Sequence, residues 1–133
     1  MVESLPMLHV AIADGDDAVR TYTRLVLADA GFRVSVAATA SEVRELLAGA
    51  RGGPVDCLIA EEWLRVGNTF DAVEESRRCG FINHLRLVLY SNDPLVHAEA
   101  ELREIDVAWI LPKPCAPEQL IAAIGESTIA AAS

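Results

Sequence analysis

LHVAIADGDD, residues 8–17, sets an almost unbroken apolar run directly against an aspartate-rich turn. Apolar residues at both parities mark a strand buried on both faces, the usual state in a parallel sheet. The same signature returns down the chain. VDCLIA (55–60) runs into Glu61 and Glu62, LRLVLYS (85–91) into Asn92, and VAWIL (107–111) into Pro112 and Lys113. FRVSVAA (32–38) supplies a fifth run of this kind.

Between these runs the period changes to that of helices. Val19, Tyr22, Val26 and Ala30 follow the first strand at helical spacing, with Asp16 and Asp17 suited to the positive end of that helix and Gly31 to its C-terminal cap. Thr39 and Glu42 form a capping-box pattern ahead of Val43, Leu46, Leu47 and Ala50. A weaker helix spans 70–78, and Asp93-Pro94 opens a fourth that continues through Leu95, Ala98, Leu102 and Ile105. The last begins at Pro117 and Glu118 and carries Leu120, Ile121 and Ile124. Five strand–helix repeats imply an α/β fold, with a parallel sheet, right-handed crossovers and helices on both faces. The expected organisation is one domain over 1–133, with a core from about 8 to 126 and a frayed tail at 127–133.

Composition narrows the function. Acids outnumber bases 20 to 11, the net charge is −9, and no basic run exists, so direct nucleic-acid binding is set aside. The odd set Cys57, Cys79 and Cys115 has no metal-site spacing and suits reduced thiols. No secretory leader or membrane-length apolar run is visible, and the expected location is the cytoplasm.

Sites in open parallel sheets form beyond the carboxyl ends of the strands. There the chain places Asp14, Gly15 and Asp16 after strand one, Glu61 and Glu62 after strand three, Ser91 and Asn92 after strand four, and Lys113, its only lysine, after strand five. Singly, each has an ordinary explanation: Asp16 or Asp17 as a helix cap, Ser91 as a turn residue, Lys113 as a solvated cation. Their joint order, acid, acid, hydroxyl, lysine at successive strand ends, is the stronger observation. His9, His84 and His97 lie away from that edge and read as structural or surface residues, and Cys57 as a small core residue.

The pattern resembles response-regulator receiver domains. It rests on VAIAD followed by Arg20 six residues after Asp14 and Gly31 eleven after Arg20, on VDCLIAE, on LVLYS, and on Lys113-Pro114. The intervals Glu61 to Ser91 (30) and Ser91 to Lys113 (22) match, and the likeness spans about 8–126. It implies a three-layer, flavodoxin-like (CheY-like) doubly wound sheet of order 2-1-3-4-5. It also implies a role in two-component or phosphorelay signalling.

Three departures matter. Glu61 stands where the acceptor aspartate belongs. Gly15 stands where the second of a metal-binding acidic pair belongs. The loop EEWLRVGN keeps Leu64 for the usual Met but has Arg65 for Pro, with Gly67 two residues early. Mg2+ needs hard oxygen ligands in near-octahedral array, so Asp14, Asp16 and Glu61 are expected to form a weak or absent site. The expected cofactor is none, and no catalytic residue is expected. Of the switch residues, Ser91 and Lys113 are kept, but Ile110 replaces the usual aromatic and has no hydroxyl. Glu61, one methylene longer than Asp, is positioned to reach Lys113 or Ser91 as a phosphoryl oxygen does.

The expected function is a phosphorylation-independent pseudo-receiver that binds a histidine kinase, an output protein or another signalling protein, and is not an enzyme. The partner face implied is that of helix four, strand five and helix five, with Val96, His97, Arg103 and Trp109 as candidates and a dimer as one use of it. The alternatives are a working receiver with an altered Mg2+ site and, from another class, a small flavodoxin-like enzyme or nucleotide binder. The acidic DGDD turn, which repels phosphate, weighs against the last.

Overall fold

A computed structural model describes residues 7–82 and 85–132, with side chains through residue 125; His84 lies outside it. The elements alternate: β1 His9–Ala13, α1 Asp17–Asp29, β2 Arg33–Ala37, α2 Ala40–Leu47, β3 Cys57–Ala60, α3 Thr69–Arg78, β4 Arg86–Tyr90, α4 Val96–Leu102, β5 Trp109–Leu111 and α5 Pro117–Ala132. The five strands lie in the order β2-β1-β3-β4-β5, and every neighbouring pair is parallel. This is the expected doubly wound sheet.

The pleat sends alternate residues of each strand to opposite faces. Ala11, Ala13, Leu58, Ala60, Leu87 and Leu89 pack under Val43, Leu46, Phe70, Val73, Val96 and Ala100 from α2, α3 and α4. On the other face Val10, Ile12, Cys57, Ile59, Val88, Tyr90 and Leu111 pack under Leu27 of α1 and Leu120, Ala123 and Ile124 of α5. Each central strand is covered on both sides, which is why its sequence is apolar at both parities. At the β5 edge, cover is incomplete, and Trp109 and Ile110 stay exposed.

Helix ends follow local chemistry. Asp16 caps α1, accepting from the amides of Ala18 and Val19. Gly31, at φ +99°, closes the other end, with Phe32 N–H donating to Leu27 O at 3.1 Å. Thr39 caps α2, and Glu42 reaches back to the Ala38 amide (2.9 Å). That amide is the main reason the Glu42 carboxyl sits below its ordinary range.

Several expectations need correction. α4 begins at Val96, not Pro94, because Asp93 first closes a turn, accepting from Leu95 N through its side chain (2.9 Å) and from Val96 N through its carbonyl (3.2 Å). The buried face of α4 is Val96 and Ala100; Leu95, Ala98 and Leu102 point outward. β5 starts at Trp109 rather than 107. The backbone of α5 runs to Ala132. His9 is structural as expected: it is buried, with Nε2 2.7 Å from Ser35 Oγ and Nδ1 3.0 Å from Pro54 O.

Phe70 is the largest wholly buried side chain. Phe70→Ala is therefore expected to lower stability by about 3–5 kcal/mol, measured as a shift of the urea midpoint at unchanged slope.

Candidate functional site

β1, β3 and β5 deliver three charged groups to one point at the carboxyl edge of the sheet. Asp14 N–H extends the β1–β2 ladder by donating to Ala37 O (3.1 Å), and Glu61 N–H extends the β1–β3 ladder by donating to Ala13 O (3.0 Å). The Asp14 carboxylate is buried; Oδ1 accepts from Asp16 N–H at 2.9 Å and Oδ2 from Lys113 Nζ at 2.5 Å. The same ammonium donates to Glu61 Oε1 at 3.1 Å, while Glu61 Oε2 accepts from Glu62 N–H at 3.1 Å. Lys113 thus bridges the two carboxylates. Of the three side chains Asp14 is 5% exposed, Lys113 18% and Glu61 24%, so the bridge lies where charge-assisted bonds are little screened.

Asn92 holds the lysine in place. Its amide donates to Lys113 O (2.6 Å) and accepts from Lys113 N–H (2.9 Å), and the Lys113-Pro114 bond that follows is cis. Nζ also lies 5.6 Å from the centroid of the buried Tyr90 ring. Burial pulls the Lys113 ammonium pKa down, but hydrogen bonds and charge from Asp14, and then from Glu61, outweigh it, and the net shift is upward. Arg20 supports the site from outside, donating to Asp14 O at 2.6 Å and pairing with Asp17.

The remaining expected residues divide. Ser91 is at the edge and buried, with its Oγ accepting from Asp93 N–H (3.0 Å), while Glu61 pairs with Lys113. Ser91 and Ile110 line a shared cleft of about 330 Å³ with Val96 and His97. Asp16 spends its carboxylate on the α1 N-terminus. Glu62 is turned into its own loop, accepting from Asn68 Nδ2 at 3.1 Å.

On the anticipated partner face, His97, Trp109 and Ile110 are exposed, but two residues are not there. Val96 is buried. Arg103 faces α3, donating to Asp71 and Glu74 (both 2.6 Å) and to Glu99 (2.9 Å). Two contacts escaped the sequence reading: the Asn92 clamp, whose halves are 21 residues apart, and the seat of Arg65. Arg65 Nη2 donates to Asp17 Oδ1 at 2.5 Å and Nε to Gly15 O at 3.3 Å.

Mg2+ would need several oxygen ligands in fixed directions, and these residues do not fit it. Gly15 offers no carboxylate, and a Cβ there would lie 3.1 Å from Arg65 N. The Asp16 carboxylate is occupied by backbone amides, and Asp14 and Glu61 share an ammonium. Among the described residues no group of three or more His, Cys, Asp or Glu is placed to hold a metal ion.

No family model matches the chain, and no curated protein matches its sequence. Solved structures do match. The chemotaxis response regulator CheY4 of Vibrio cholerae is 24% identical, with 91% of this chain and 98% of that chain covered at a TM-score of 0.75. A response regulator receiver protein from Sinorhizobium medicae is 21% identical over 96% and 99%, with a TM-score of 0.77. The signal receiver domain of an HD domain-containing protein from Pseudomonas fluorescens is 17% identical over 99% and 94%, with a TM-score of 0.80.

The fold is that of a response-regulator receiver. The acid–acid–lysine edge of this receiver fold is the one described above. Among the described residues no helix is long and apolar enough to cross a membrane.

Three outcomes follow. Lys113→Met leaves Asp14 buried without its counter-charge, and because the site is partly open the expected loss is about 2–3 kcal/mol, below the 3–5 of a fully buried pair. A raised lysine pKa stabilises the fold fully below the unfolded value of about 10.4 and loses that contribution as pH rises through the folded value. The wild-type stability should therefore fall more steeply than that of Lys113→Met above about pH 10.4 in denaturant titrations. Asp16→Ala should cost about 1 kcal/mol and Asp16→Ser much less, as expected of an N-cap.

Proposed function

We propose that this chain is a receiver-like module of two-component or phosphorelay signalling that works by protein–protein contact without phosphorylation. The observation that carries the reading is the Lys113 bridge between Asp14 and Glu61. In phosphoryl transfer a cation neutralises the acceptor and the incoming group. Here the carboxylate at the acceptor position already shares the lysine with Asp14, and the neighbouring Gly15 and Asp16 add no free carboxylate for a divalent ion.

Glu61 in this reading stands in part for a phosphorylated acceptor. It gives Lys113 a permanent anionic partner and biases the domain toward one conformation. The mimicry is partial, since a phosphoryl group brings about two negative charges and three acceptor oxygens. The partners are cytoplasmic signalling proteins, a histidine kinase or an output protein. They dock on the α4–β5–α5 face, where His97, Trp109 and Ile110 are exposed. The reading is of a binding module rather than an enzyme.

The test uses Trp63, two residues beyond Glu61 and 66% exposed. Mg2+ is titrated with and without beryllofluoride while Trp63 fluorescence is followed in a Trp109→Phe background. No saturable change at millimolar Mg2+ is expected. A saturable change enhanced by beryllofluoride overturns the proposal in favour of a working receiver with an altered metal site.

A further inference from the structure

The β3–α3 loop, residues 61–68, is fastened on two sides. Its backbone is bound to the β2–α2 loop, with Arg65 N–H donating to Ala38 O and Ala40 N–H donating to Val66 O, each at 2.9 Å. Gly67 makes this approach possible: at φ +87° it would place a Cβ 2.6 Å from that of Ala40. Beyond Glu61, the described contacts that hold the other side are those of the Arg65 side chain, which donates to Gly15 O and Asp17 Oδ1. The space under this seat exists because residue 15 is glycine. A side chain there meets the backbone of Leu64 and Arg65 at 3.4 and 3.1 Å.

We propose that Arg65 is an internal latch that holds the β3–α3 loop closed over the Asp14–Glu61–Lys113 pocket by joining it to the first turn of α1. The inference deepens the reading above, on which it rests for its consequence: a partner senses the position of this loop, set by Arg65 and not by an ion. One residue makes both attachments. Its backbone holds the β2–α2 loop and its guanidinium holds the β1–α1 loop, so three loops at the sheet edge move as one unit while it is seated.

The latch is weak by construction. The Arg65 and Asp17 side chains are 52% and 71% exposed, and pairs so solvated contribute little and are screened by salt. A switch element needs that property, because opening must come from the low end of local stabilities. Asp17 is not stranded when the latch opens, since it keeps Arg20.

The experiment is amide hydrogen exchange of the full chain by NMR, with neither Mg2+ nor a phosphate donor present. Arg65→Met keeps the aliphatic stem and removes the guanidinium. The Arg65 position and Ala40 amides are expected to exchange about two- to fivefold faster, as loss of an exposed pair implies, while the β1 and β3 amides keep their rates. Adding Asp17→Asn to Arg65→Met should bring no further acceleration. High salt should speed the same two amides in the wild type but not in the variant. Unchanged rates in Arg65→Met, or equal acceleration of the strand amides, overturn the latch. Because no metal is involved, that failure leaves the account of Glu61 untouched, whereas a positive beryllofluoride response, read from Trp63 in the same loop, leaves the Arg65 attachment standing but overturns the consequence drawn from it.

Discussion

One ammonium serving two carboxylates organises this end of the molecule. Asp14 is drawn out of water by the sheet that carries it, and a carboxylate so placed needs a counter-charge. Lys113 supplies it, and Asn92 fixes the backbone from which Lys113 extends. Glu61 shares the same nitrogen. The rest of the edge is arranged around this bridge, with Arg20 on the Asp14 carbonyl and Tyr90 beneath the ammonium.

A second constraint comes from the absence of a side chain at Gly15. In a pocket that lacks one carboxylate, the neighbouring loop can descend, and the backbone of Leu64 and Arg65 takes the volume. Room at Gly15 and the approach of this backbone go together, and the Arg65 side chain bonds across the same gap. The pocket that results is compact and internally paired. Its cations are side chains, Lys113 inside and Arg65 at the rim.

Much of this was legible in the sequence, for reasons that also explain the rest. The strands announced themselves because parallel strands covered on both faces are apolar at both parities, and their ends named Asp14, Glu61, Ser91 and Lys113. Side-chain direction was less legible. Asp16 suits a helix cap and a metal ligand equally, and only the backbone decides that it caps α1. Short amphipathic helices carry two candidate stripes. In α1 Thr23 and Leu27 are the fully buried positions, with Val19 and Val26 packed beside them and Tyr22 exposed, and in α4 Val96 and Ala100 displace Leu95, Ala98 and Leu102. That choice moved Val96 into the core and turned Arg103 toward α3. The Asn92 clamp and the Arg65 seat join residues far apart in the chain through common side-chain types, and no local pattern marks them.

The central claim is that Glu61, paired to Lys113 in a pocket unsuited to a divalent ion, does not accept a phosphoryl group. Its most direct test is the intact mass of the protein after incubation with acetyl phosphate and Mg2+, read beside a Glu61→Asp variant and a Glu61→Gln variant. The account predicts an unmodified mass for the wild type. A phosphoryl adduct that forms on the wild type and disappears in Glu61→Gln would contradict it.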